Sequence, residues 1–135
     1  MKQFVIGIFI LLSGNFVFGQ NLKCRDFKKG NFYIENQEAE IKRYDVYRDG
    51  ELQIEYVSSP EGENVYIDIE WIDNCNYRLT FDPNRADLSE TEKFINEVGG
   101  ALIQMVKIER NCFFYKSTIV VYGEEIVIDG KICKK

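Results

Sequence analysis

The sequence predicts a mainly β domain: an eight-stranded antiparallel meander, either a curled sheet or a small barrel, with one short helix between strands 5 and 6. Three observations predict it. Strand-length stretches of alternating apolar and polar residues recur along the chain, each bounded by turn chemistry. One segment only, "ADLSETEKFINEVGG", carries helix start and stop signals. A meander of this length also exposes two edges, which closure or strong curling hides. A two-sheet sandwich is the alternative.

The chain begins "MKQFVIGIFILLSGNFVFGQN". Lys2 precedes an apolar run from Phe4 to Leu12, and Val17 and Gly19 are the small residues expected before a cut at Gln20. That run is far shorter than the roughly 20 residues a membrane helix needs, and Gly14-Asn15 breaks it. Residues 1–19 therefore read as a secretory signal peptide and residues 20–135 as a single β-rich domain, periplasmic or secreted. Lys2 is the only charge in the leader, so the remaining chain keeps 16 basic against 22 acidic residues. A chain of that balance with no basic cluster is a poor partner for nucleic acid or an anionic membrane.

The strand candidates are 30–36, 40–48, 51–58, 64–72, 76–82, 101–109, 112–121 and 124–133. Their registers follow from sorting side chains onto two faces. A two-residue turn at Tyr122-Gly123 pairs Ile119 with Ile126, Tyr115 with Gly130 and Phe113 with Ile132, and sets Lys116 against Asp129 on the other face. A three-residue turn at Asp73-Asn74-Cys75 pairs Trp71 with Tyr77, Ile69 with Leu79 and Ile67 with Phe81. A turn at Arg110-Asn111 pairs Ile108 with Phe113, Val106 with Tyr115 and Gln104 with Ser117. Asp49-Gly50 is a type I′ signal that sets Arg48 opposite Glu51. In the helix, Ser89 is the N-cap with Glu92 three residues on, and Gly99-Gly100 ends it. Phe94, Ile95 and Val98 form its apolar stripe.

All four cysteines, Cys24, Cys75, Cys112 and Cys133, lie beyond the leader, each isolated, in a chain without histidine. That spacing predicts two disulfides rather than a zinc site, which uses C-x2-C or Cys/His pairs. The last hairpin sets Cys112 opposite Cys133, within disulfide reach. By strand parity all four cysteines gather at one end of the sheet, with the helix at the other.

No histidine means no Ser-His-Asp or Cys-His pair, and oxidised cysteines leave no thiolate. Asp68 and Glu70 fall on the outer face, while Asp82 and Asp87 suit turn and cap duties around Pro83. No glycine-rich phosphate loop joins a strand to a helix. The expectation is a non-catalytic protein without metal or cofactor. Its interior site, if the face carrying Leu52, Ile54 and Tyr56 points inward, includes Arg43 opposite Tyr56, with Gln104 and Ser117 joining them. Such a set would anchor a small hydrophobic or carboxylate ligand. The plainer alternative is that Arg43 and Asp45 pair locally or face water. A protein-interaction or inhibitor role through the acidic strand face or loops, toward another envelope protein, is the competing function.

Gly30-Asn31-Phe32 resembles the lipocalin opening G-x-W, with Phe in place of Trp. A broader resemblance runs through "CRDFKKGNFYI", "LQIEY" and "IEWIDNCNYRLTF". These are similar to a group of small exported proteins of Bacteroidota, chiefly flavobacteria, with the pattern CxxFKxGxF, QxE and WxxxCxYxLT. Cys24, Phe27, Lys28, Gly30, Phe32, Gln53, Glu55, Trp71, Cys75, Tyr77, Leu79 and Thr80 carry it here. Some members bear the label DNA topoisomerase IV, which implies a large multidomain ATP- and DNA-using enzyme that a short acidic exported domain does not match. The resemblance implies no activity. It implies one pairing: Cys24 and Cys75 belong to the shared pattern and Cys112 and Cys133 do not, so Cys24 is expected to bond Cys75.

Overall fold

The computed structural model describes residues 21–35, 43–57 and 64–135. The signal-peptide expectation for residues 1–19 lies outside them. The described chain opens with a 3-10 turn, Cys24–Phe27. Eight strands follow in order: β1 (Lys29–Glu35), β2 (Arg43–Asp49), β3 (Leu52–Tyr56), β4 (Val65–Trp71), β5 (Tyr77–Phe81), β6 (Ala101–Glu109), β7 (Cys112–Val121) and β8 (Glu124–Lys134). One helix, α1 (Glu90–Glu97), sits between β5 and β6. Each strand pairs antiparallel with the next, and β1 pairs with β8 to close a barrel. Closure joins the two ends of the meander over Phe32–Ile34 and Ile132–Lys134, which decides against a sandwich or an open curled sheet.

The β7–β8 register runs without interruption from Val121↔Glu124 to Cys112↔Cys133. Gly130 passes beneath the Tyr115 ring, where a Cβ would lie 2.5 Å from the ring carbon Cζ. The β4–β5 hairpin has the expected pairs Trp71↔Tyr77, Ile69↔Leu79 and Ile67↔Phe81, with Glu70 against Arg78. Its turn is built on Asp73, whose carboxylate accepts the Cys75 and Asn76 N–H groups at 2.8 and 2.7 Å. Those bonds hold the Asp73 carboxyl below its usual pKa. Helix α1 has the expected capping box, with Ser89 Oγ accepting from the Glu92 N–H. Gly99 and Gly100, both at positive φ, turn the chain out of it.

Two registers differ from expectation. The β6–β7 pairing begins as predicted at Glu109↔Cys112, then slips at Val106, so that Met105 faces Tyr115 and Gln104 faces Lys116. Asn76 explains where the slip is stabilised: its Oδ1 accepts the Met105 N–H at 2.8 Å from the neighbouring strand. The β2–β3 loop is Gly50-Glu51 rather than Asp49-Gly50, so Asp49 faces Leu52 and Asp45 faces Tyr56. Gly50, at φ 61°, takes the loop's left-handed position.

Strand parity brings four cysteines to one rim, where Cys24 bonds Cys75 and Cys112 bonds Cys133. The 3-10 turn plugs that end. Phe27 is fully buried there, with its ring centroid 5.9 Å from Phe32 and 5.4 Å from Phe113. Val46, Ile67, Ile69, Tyr77, Ile103 and Ile132 complete the apolar core around it.

Candidate functional site

The interior is not buried uniformly. Phe32, Val46, Arg48, Gln53, Ile67, Ile69, Tyr77, Ala101, Ile103, Phe113 and Ile132 are buried. Trp71 and Ile108 near the disulfide rim are partly buried, as are Met105 and Tyr115 midway along their strands and Tyr44, Glu55, Leu79 and Phe81 toward the helix end. Helix α1 is fixed at this end by Asn96, which acts as a surrogate strand. Its Oδ1 accepts the Phe81 N–H at 2.9 Å and its Nδ2 donates to the Phe81 carbonyl at 2.8 Å.

A polar ladder runs along β2 and β3. Arg48 is 2% exposed and its three nitrogens each have an acceptor. Nε donates to Gln53 Oε1 at 2.7 Å, Nη1 to the Phe27 carbonyl at 2.9 Å, and Nη2 to the Tyr77 hydroxyl. Arg48 thus ties the 3-10 plug to β3 and β5, and its guanidinium carbon also sits 5.8 Å from the Phe32 ring centroid. Satisfying every nitrogen is what makes a buried guanidinium tolerable. Gln53, 3% exposed, carries the ladder onward, donating from Nε2 to Glu55 Oε1 at 2.8 Å.

Glu55, partly buried, ends the ladder. Burial pushes its carboxyl from the usual 4.5 up to about 7; the Gln53 amide and the Arg48 charge pull the other way, and Glu92 of α1 adds to the rise. Two tyrosines share this space. Burial raises the Tyr44 hydroxyl well above its ordinary 10, and the Glu55 and Tyr115 charges add to it. Tyr115 is raised by burial first, then by Tyr77 and Glu55. This inner surface, termed the cup, carries one titrating carboxyl, two neutral phenols and the apolar side chains of Leu79, Phe81 and Met105.

The residues expected to form an interior site are elsewhere, with one exception. Arg43 is on the outer face: Nη1 lies 3.5 Å from Glu35 and the guanidinium carbon 4.0 Å from the Tyr33 ring centroid. Asp45, beside it, reaches Lys135 at 2.7 Å. Tyr56 and Gln104 are exposed. Ser117 alone shares the inward strand face with Phe113 and Tyr115, opposite Ile103. The physical reason is a conflict within one hairpin. β3 carries Leu52, Ile54 and Tyr56 on one face, and β2 carries Tyr44 and Val46 on the face that pairs with Gln53 and Glu55. Both apolar faces cannot point inward. Closure against β1, with Phe32↔Val46, decides for β2. The slip at Val106 turns Gln104 outward.

The signal that could have found Arg48, Gln53 and Glu55 was this disagreement itself, because polar residues on the pairing face of an apolar set mark an interior ladder. Among the described residues no group of three or more Cys, Asp or Glu side chains could hold a metal ion, and no helix is long and apolar enough to cross a membrane. A surface cleft of about 670 Å3 lined by Asn64, Tyr66, Pro83, Asn84, Arg85, Ala86 and Asp87 lies outside the barrel and is polar. Two disulfides point to a non-cytoplasmic protein. Compared with protein-family models, curated proteins and solved structures, the chain finds no match.

Proposed function

We propose that this protein is an exported, non-catalytic envelope protein that holds a small ligand in the helix-side cup of its barrel. The observation that carries this reading is the polar ladder that ends on the inner face in Glu55, a carboxyl shared with partly buried Tyr44 and Tyr115 and with the apolar side chains of Leu79, Phe81 and Met105. Apolar walls with a few converging polar groups are the usual composition of a ligand site. Glu55, Tyr44, Tyr115 and Ser117 supply the polar groups, and Leu79, Phe81 and Met105 the walls. Arg48 takes no part as an anchor, since its nitrogens already serve the fold. Native mass spectrometry of the protein purified from its own envelope tests the reading. A small noncovalent adduct that disappears in Met105→Trp supports it. A bare mass, together with no heat of binding for any small amphiphile, would overturn it.

A second reading, docking to another envelope protein, is favoured by one specific feature. The β7–β8 hairpin extends past the closure, since β1 pairs with β8 only from Ile132 to Lys134. Its outer part exposes Val120, Tyr122, Ile126, Val127 and Ile128, the last at 66%. Exposed apolar side chains grouped this way on a protruding arm suit a protein surface. Loss of a co-purifying partner in Ile128→Lys, with the cup adduct kept, would favour this reading over the first.

A further inference from the structure

We propose that the ligand of the cup is a cationic one, an ammonium group on a compact apolar body, held by the Glu55 carboxylate beside Tyr44 and Tyr115. This rests on the small-ligand reading above and adds the ligand's charge. The argument is one of complementarity. In the half of the barrel nearer the helix, no Lys or Arg among the described residues lies on the inner face. The interior cation, Arg48, sits below and donates to Gln53, Phe27 and Tyr77 from all three nitrogens, so it presents no free fork to a carboxylate. The polar groups on that surface are a carboxyl, two phenols and the Ser117 hydroxyl, none of them cationic.

One Glu55 oxygen accepts from Gln53 at 2.8 Å, and an ionised carboxylate has acceptor sites for further donors. Glu92 adds a second negative charge near Glu55 from α1. A carboxylate ligand would meet two like charges there. An ammonium would meet opposite charge at Glu55, with the partly buried Tyr44 and Tyr115 on the same inner face. The raised proton affinity of Glu55 agrees with this: burial outweighs the Gln53 hydrogen bond and the Arg48 charge, and a cation beside the carboxylate would favour its ionised form. Leu79, Phe81 and Met105 call for an apolar body behind the charged head.

Isothermal titration calorimetry of the oxidised chain at pH 8, with octylammonium, octanol and octanoate as matched probes, tests this. Octylammonium is expected to bind at least about tenfold more tightly than octanoate, with octanol between them. In Glu55→Gln, checked for folding by its thermal transition, the ammonium preference should collapse to the level of octanol. Octanoate binding as tightly as octylammonium, or the preference surviving Glu55→Gln, would overturn the ammonium assignment and leave the cup standing. No heat from any of the three probes would instead remove the small-ligand reading on which it rests.

Discussion

Replacing Glu55 with Gln should make the ligand-free protein more stable at alkaline pH, and the gain can be worked out. The folded carboxyl titrates at about 7 against an ordinary value of 4.5. A raised carboxyl pKa means that the folded state holds its proton more tightly than the unfolded chain does. Its contribution is therefore fully present below about pH 4.5 and is lost as pH rises through about 7. At roughly 1.36 kcal/mol per unit, the loss is about 2 kcal/mol by pH 6 and about 3 kcal/mol by pH 8. Glutamine keeps an acceptor for the Gln53 amide and carries no charge, so the loss does not occur. Urea denaturation of both proteins, disulfides intact and ligand removed by refolding, measures it at pH 5, 6, 7 and 8. The stability difference between the variant and the wild type should grow across that range and level off above pH 7. Other carboxylates titrate in both proteins and cancel in the difference. A difference that stays flat within about 0.5 kcal/mol would mean that Glu55 is solvated, and the closed ladder from Arg48 to the cup would be wrong.

Arg48→Met should cost about 3–5 kcal/mol in the same urea assay, because it strands Gln53 Oε1, the Phe27 carbonyl and the Tyr77 hydroxyl. Arg48→Lys should recover little, since an ammonium cannot reach three acceptors in a plane. Gly130→Ala should lower stability by about 1–3 kcal/mol through collision with the Tyr115 ring, and Tyr115→Leu in the same chain should restore part of it. Removing the Cys24–Cys75 bond should cost more than removing Cys112–Cys133, about 4 against about 3 kcal/mol in the chain-entropy view, as their sequence separations are 51 and 21. Arg43→Ala should move stability by no more than about 1 kcal/mol, as expected for its exposed pair with Glu35, and should leave ligand affinity unchanged in calorimetry.

Local pattern by itself determined much of this protein. Alternation in β4, β5, β7 and β8 places one apolar face against a polar one, so a single register satisfies each hairpin. Ser89 and Glu92 start a helix through contacts three residues apart, and Gly99-Gly100 ends it. Strand count and parity then bring four cysteines to one rim. These are short-range consequences of side-chain period and turn chemistry, and they hold without knowledge of what lies across the barrel. The inner face of β2 and β3 was different. Either side of that hairpin buries some apolar residues and some charged ones, so local sorting is degenerate there. Only closure, which sets Phe32 against Val46 and the Phe27 carbonyl against Arg48, makes one choice far cheaper. The slip at Val106 is likewise stabilised by Asn76, 29 residues away from the amide it accepts. The cup and its carboxyl therefore belong to the tertiary structure, because a buried charge is tolerable only where distant parts of the chain arrive to satisfy it.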